Sequence, residues 1–144
     1  MSIDLTKYKD KGLTGLANLG NTCYLNSCMQ MLSHCYPLNE MFDKIDTNYI
    51  NKIEDSVLLV EWNNLRNLMW SQNCVISPNR YVNTVQKISR NKNIELFSGF
   101  AQNDLPEFLI FIIDAFHNSL KRKVEMNITG TSQNKTDELA KECY

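Results

Sequence analysis

Nothing in this chain approaches the roughly 20 consecutive apolar residues that a membrane-crossing helix needs, so no membrane-spanning segment is expected. Neither sign of charge dominates: 15 Lys and Arg stand against 16 Asp and Glu, a formal net charge of -1. A general nucleic-acid binder neutralises phosphates with clustered cations. The one dense cluster here, Lys121 to Lys123, reads as a solvated helix end, so neither nucleic acid nor membrane is expected as a partner. The stretch Met1 to Lys11 is polar and unlike a secretion signal. The five cysteines, Cys23, Cys28, Cys35, Cys74 and Cys143, are odd in number and include no Cys-x-x-Cys pair, which argues against a disulfide framework and a zinc site. Free thiols in a cytoplasmic or nuclear setting, with no metal and no cofactor, are the expectation. The sequons Asn127-Ile-Thr129 and Asn134-Lys-Thr136 then read as chance matches.

What is present is a helical chain. With 144 residues and 43% hydrophobic content it is long enough to bury a core as one globular unit. Gly12, Gly15 and Gly20 mark the segment Gly12 to Thr22 as a loop needing unusual backbone angles or close approach. From Cys23 to about Cys35, Leu25, Cys28, Met29, Met31 and Leu32 recur at helical spacing, with Pro37 just past the end. A second helix is expected over about Ile53 to Trp70, with an apolar stripe of Val57, Leu58, Trp62, Leu65, Leu68 and Met69. Ser77-Pro78 reads as an N-cap and first-turn proline opening a third helix to about Ser89. After a loop over Asn91 to Ala101, a strongly apolar helix from about Asp104 to Leu120 is expected to be buried and central, through Phe108, Leu109, Phe111, Ile112, Ile113 and Phe116. The residues from Lys121 onward are polar, with a weak helical pattern from Thr136 to Tyr144, and no strand pattern is visible. The fold class expected is mainly α, organised as a polar leader over 1–11, a helical body over 12–120 and a polar tail over 121–144.

The chemistry sits at the first loop-to-helix junction. In Gly12-Leu-Thr-Gly-Leu-Ala-Asn-Leu-Gly-Asn-Thr-Cys-Tyr-Leu-Asn-Ser-Cys-Met-Gln30, Cys23 heads a helix with carboxamides on both flanks. A helix N-terminus favours negative charge, so a lowered thiol pKa is expected there. Attack by such a thiol on a carbonyl creates an oxyanion that needs preorganised donors, and Asn18 is a candidate. Position alone leaves open a small buried cysteine, which is the common fate of this residue type. The run Gly-Leu-x-Asn-Leu-Gly-Asn-Thr-Cys-Tyr-Leu-Asn-Ser followed by Gln30 resembles the cysteine box of the ubiquitin-specific proteases, a family of papain-like cysteine proteases. The resemblance implies Cys23 as nucleophile, Asn18 as oxyanion donor, and Asn21 and Asn26 as scaffolding.

A second segment, Gln102-Asn-Asp-Leu-Pro-Glu107-Phe-Leu, resembles the family's Gln-Gln-Asp-x-x-Glu-Phe-Leu, with Asn103 where a second Gln is usual. By that resemblance Gln102, Asp104 and Glu107 contact the basic C-terminal tail of ubiquitin. Asp104 and Glu107 equally suit a capping arrangement at a helix start, and both roles stay open. A thiol protease also needs a histidine within hydrogen-bond reach. His34 follows Cys23 by eleven residues, roughly 16 Å along one helix, and His117 sits late in the fourth helix. The family's histidine box, a Gly-His-Tyr-like motif followed by Asp or Asn, does not occur in this sequence. The match therefore covers the helical thumb, without the β-rich palm and fingers. The reading is a deubiquitinase acting through a Cys23 thioester, with ubiquitin or ubiquitinated proteins as partners. This chain alone is then expected to be weakly active or inactive, its histidine half encoded elsewhere or supplied by a separate chain. The alternative is a non-catalytic ubiquitin-binding or interaction module derived from such an enzyme.

Overall fold

In the computed structural model, residues 4–123 and 133–142 are described. The Asn127 sequon and Cys143 lie outside them. The elements in order are β1 (Gly15–Leu16), α1 (Cys23–Ser33), α2 (Tyr36–Asp43), α3 (Asp55–Ser71), β2 (Val75–Ile76), α4 (Asn79–Asn91), α5 (Leu105–Leu120) and α6 (Lys135–Glu142), with short 3₁₀ turns at Leu5–Tyr8 and Thr47–Tyr49. The fold is mainly α, as the sequence predicts. None of the described helices is long and apolar enough to cross a membrane.

The helix α5 is the central post, packed against α1 on one side and α3 on the other, while α4 packs on α3. Its inward stripe is Phe108, Ile112, Ala115, Phe116 and Ser119, all buried at helical spacing. Burial is not all round, however. Ile110 is 64% exposed and Ile113 44%, so this helix has an open face that its apolar composition does not predict. The same correction applies to α3, where Leu58, Trp62, Leu65 and Met69 are buried but Val57 and Leu68 face outward.

Three local departures from expectation have plain causes. First, α2 is an additional helix, since Pro37 occupies its first turn, where a missing N–H removes no helical bond. Secondly, α4 begins one residue later than Ser77-Pro78 suggests: Pro78 is the capping residue, and the Ser77 hydroxyl accepts from Asn79 Nδ2 (3.0 Å). Thirdly, two strands of two residues each pair in parallel, Gly15 opposite Val75 and Leu16 opposite Ile76. Strands this short have no alternation to detect.

Residues 4–11 lie against this body. Tyr8 stacks on Tyr36 (centroids 4.4 Å) and meets Trp70 edge-on (4.9 Å), while Lys7 bridges Glu40 (2.6 Å) and Asp43 (2.9 Å). Burial works to raise the Asp43 carboxyl, but hydrogen bonds from Arg66 and Lys7 outweigh it and hold the group below its ordinary range.

Candidate active site

The loop that leads into α1 is bonded along its whole length. Gly12 has φ +78° and lies so close to Trp70 that a Cβ would fall 2.5 Å from the ring. Thr14, buried, donates its hydroxyl to the carbonyls of Met69 (2.7 Å) and Gln72 (2.8 Å). Gly15 N and Ala17 N then donate to Cys74 O and Ile76 O, each at 2.9 Å, fixing the loop on β2. From the other side, two carboxamides one turn apart on α1 reach back. Asn26 Nδ2 donates to Leu16 O (3.3 Å) and Ala17 O (3.1 Å), and Gln30 Nε2 to Thr14 O (2.7 Å).

The last turn before the helix is built around Asn18. Its Oδ1 accepts from Gly20 N (3.3 Å), Thr22 N (3.1 Å) and Thr22 Oγ1 (3.0 Å). Gly20 (φ +97°) and Asn21 (φ 52°) both take left-handed backbone, a conformation that glycine and asparagine tolerate best. Asn21 Nδ2 also donates to Phe100 O (3.0 Å), tying the loop to the segment before α5. Thr22 gives its hydroxyl to this turn, accepting from Leu19 N (3.0 Å), and makes no side-chain cap to α1. Cys23 follows as the first residue of α1, exposed.

Cys23 is set apart from the other described cysteines by this setting. Cys28 is fully buried, and burial pushes its thiol up to about 11, which leaves it protonated at neutral pH. Cys74 is half-buried between α3 and β2. Cys35 is exposed and precedes α2, so exposure at a helix start does not single out Cys23. The bonded amide-rich loop does. Behind Cys23, Tyr24 is buried against Phe108 (5.2 Å) and Phe97 (5.9 Å). Burial raises its phenol above the usual value, opposed by a hydrogen bond with the Asn103 side chain and reinforced by Cys23.

Gln102, Asp104 and Glu107 are all exposed at the start of α5, on the segment that Asn21 anchors through Phe100. Asp104 occupies the N-cap position but makes no side-chain bond to the helix, so the capping role that the sequence left open is not taken. Neither histidine is brought to Cys23. His34 ends α1, eleven residues and about 16 Å along the axis, with Nδ1 2.9 Å from Gln30 O and its ring against Trp70. His117 lies in the last turn of α5, nine residues and about 13 Å beyond the Phe108 that packs on Tyr24. Thr14 and Thr22, the buried hydroxyls that hold both ends of the loop, carry no signal in the sequence beyond their position beside a glycine loop that must be pinned at each end.

Comparison with known proteins gives a consistent result. The family described as ubiquitin carboxyl-terminal hydrolase matches residues 14–142. Ubiquitin carboxyl-terminal hydrolase 10 of Arabidopsis thaliana is 30% identical over 148 residues, covering 97% of this chain and 16% of that protein. Ubiquitin carboxyl-terminal hydrolase 2 of Bos taurus is 33% identical over 121 residues, 79% of this chain and 19% of its own length. Ubiquitin carboxyl-terminal hydrolase 12 of Saccharomyces cerevisiae is 30% identical over 131 residues, 82% of this chain and 10% of its own. The chain thus spans less than a fifth of the length of these relatives.

Proposed function

Since the chain belongs to the ubiquitin carboxyl-terminal hydrolase family, we propose that it carries the nucleophile of a thiol-dependent deubiquitinase, with Cys23 as the attacking group. The observation that carries this reading is the exposed Cys23 at the N-terminus of α1, directly after a loop held by Asn18, Asn26 and Gln30. In the reaction, Cys23 Sγ attacks the carbonyl carbon at the C-terminal glycine of conjugated ubiquitin. The bond to the substrate amine breaks, the amine leaves with a proton, and a thioester remains for water to hydrolyse. The oxyanion of each step is met by first-turn N–H groups of α1, which Thr22 leaves uncapped, and by Asn18 Nδ2, the end of that carboxamide not engaged by the turn. Gln102, Asp104 and Glu107 hold the basic ubiquitin tail.

The proton-transfer group is the missing part. With His34 and His117 both remote, this reading takes the base from the family's histidine half, supplied by a separate chain. The chain by itself then turns over little or nothing, because deacylation lacks a general base. The same remoteness favours a second reading, a ubiquitin-binding module without turnover. Free thiols suit a cytoplasmic or nuclear setting for either.

Ubiquitin bearing a C-terminal electrophile distinguishes the two. Under the leading reading the native chain forms an adduct at Cys23 and Cys23→Ala forms none. Ubiquitin binding without any adduct would leave only the module.

A further inference from the structure

At the end of α5 farthest from Cys23, three concavities abut along α3 and the 44–54 segment. One of about 480 Å³ lies between Ile50, Lys52, Val57 and Val60. A smaller one of about 140 Å³ continues over Phe42, Ile45, Ile50 and Val60, and a third of about 470 Å³ follows between Ile45, Tyr49 and Leu120. Shared walls at Ile45, Ile50 and Val60 make them one groove. Its floor is apolar and open to solvent: Met41 is 43% exposed, Tyr49 62%, Val57 52% and Val60 41%.

The groove is built in advance of any occupant. Asn51 N donates to Ser119 O (2.9 Å), and Asn51 Nδ2 to Asn118 O (2.8 Å) and Lys121 O (2.9 Å), so the 44–54 segment is fastened to the end of α5. Ser56 Oγ bonds back to Asn51 O.

The rim is cationic. Lys44, Lys52 and Arg122 line the groove, and none of them is ion-paired among the described residues, whereas Lys7, Arg66, Arg80 and Lys92 each hold a carboxylate. The Arg122 guanidinium lies 4.9 Å over the Tyr49 ring, keeping its charge at the edge of the apolar floor. Nearby acids offset only part of this charge. Glu40 and Asp43 are bonded to Lys7 and Arg66, and Asp46, the one carboxylate among the described lining residues, stands against the three cations.

From this we infer that the groove docks an acidic amphipathic segment of a partner protein, its apolar side chains on Ile45, Ile50 and Val60 and its carboxylates against Lys44, Lys52 and Arg122. Preformed apolar grooves take helical or extended segments in this way, and opposite charge at the rim sets orientation and on-rate. A second copy is disfavoured, because a two-fold contact would set the same cations against each other. A lipid surface is disfavoured because the apolar residues form a concavity rather than a projecting face.

The probe is a fluorescent peptide of about four helical turns with Leu and Ile on one face and Glu on the other, titrated against the chain. The controls are the same peptide with Lys for Glu, vesicles of phosphatidylserine and phosphatidylcholine, and sedimentation of the chain alone. Saturable binding of the acidic peptide is expected. It should weaken at least about tenfold in Lys44→Glu/Arg122→Glu and again in Val60→Glu, surface changes that leave the circular dichroism unaltered, and it should weaken as salt rises. Failure of the acidic peptide to bind, equal binding of the Lys peptide, or indifference to the substitutions would overturn the assignment. Vesicle binding in place of peptide binding, or self-association blocked by the same substitutions, would overturn it in favour of those occupants.

Discussion

Asn18 has one structural task and one proposed task. The oxygen accepts three hydrogen bonds that shape the turn before Cys23, and the nitrogen is the end to which the proposed function gives the oxyanion. Asn18→Asp keeps the acceptor and removes the donor, so it separates the tasks. The expected outcome is a urea midpoint close to that of the native chain, with weaker capture of ubiquitin C-terminal aldehyde, whose adduct carries an oxygen where the oxyanion forms. The loss should approach the roughly 10²–10³ that one such donor contributes. Asn18→Ala should lower stability as well, by about 1–3 kcal/mol for partners left unsatisfied. An Asn18→Asp chain that captures the aldehyde as tightly as native would remove Asn18 from the oxyanion site. Gly12 presents a purely structural counterpart. Its left-handed backbone and its contact with Trp70 both exclude a side chain, so Gly12→Ala should cost about 2 kcal/mol or more in chemical denaturation. The glycines were legible as a loop, but which of them needs a left-handed angle was not. Gly12 and Gly20 do, while Gly15 lies in β1, and only the packing of Trp70 and β2 decides between them.

At the scale of elements, the helices that carry a long apolar stripe were readable within a residue or two, because α1, α3, α4 and α5 each bury one face against the same core. The helix α2 was not readable, since eight residues with a proline in the first turn look like the end of the preceding helix. Equally hidden was the docking of residues 4–11, which depends on Lys7 and Tyr8 meeting partners more than 25 positions away. That docking should be sensitive to acid. The Asp43 carboxyl is held below its ordinary value of 3.8 in the folded chain. A depressed carboxylate contributes stability above its unfolded pKa and loses that contribution as pH falls through the folded one. Lys7, raised by its bonds to Glu40 and Asp43, contributes fully below its own unfolded pKa and so does not limit the acid side. Amide exchange at Tyr8 to Lys11 should therefore accelerate as pH drops below about 4, after correction for intrinsic rates, and Asp43→Asn should show the faster exchange already at neutral pH. Identical protection in Asp43→Asn would mean that the Tyr8, Tyr36 and Trp70 rings hold the segment without help from charge.

For the molecule as a whole, α5 serves two clusters at once. Near its start, Phe108 joins Tyr24, Phe97 and Phe111 directly behind Cys23. Near its end, Phe116 joins Trp62 and Phe42, with Tyr81 of α4 beyond Trp62. Phe108 and Trp62 are both fully buried, so a truncation at either leaves a comparable void and a comparable loss of stability. Their consequences for the site should differ. Phe97 is held at φ 63°, a left-handed angle that a bulky residue keeps only when its ring is gripped on several sides, and Phe108 supplies part of that grip. The segment after Phe97 runs to Phe100, whose carbonyl anchors Asn21 two residues before Cys23. Loosening Phe108 therefore releases the strained turn and, through it, the loop that presents the thiol. Phe108→Leu and Trp62→Phe should each cost about 1–2 kcal/mol in urea denaturation. In water, where both variants are still folded, only Phe108→Leu should slow adduct formation with ubiquitin carrying a C-terminal electrophile. Equal labelling rates in the two variants would show that the Cys23 loop is positioned by its own hydrogen bonds to β2 and α1, independently of the aromatic cluster beneath it.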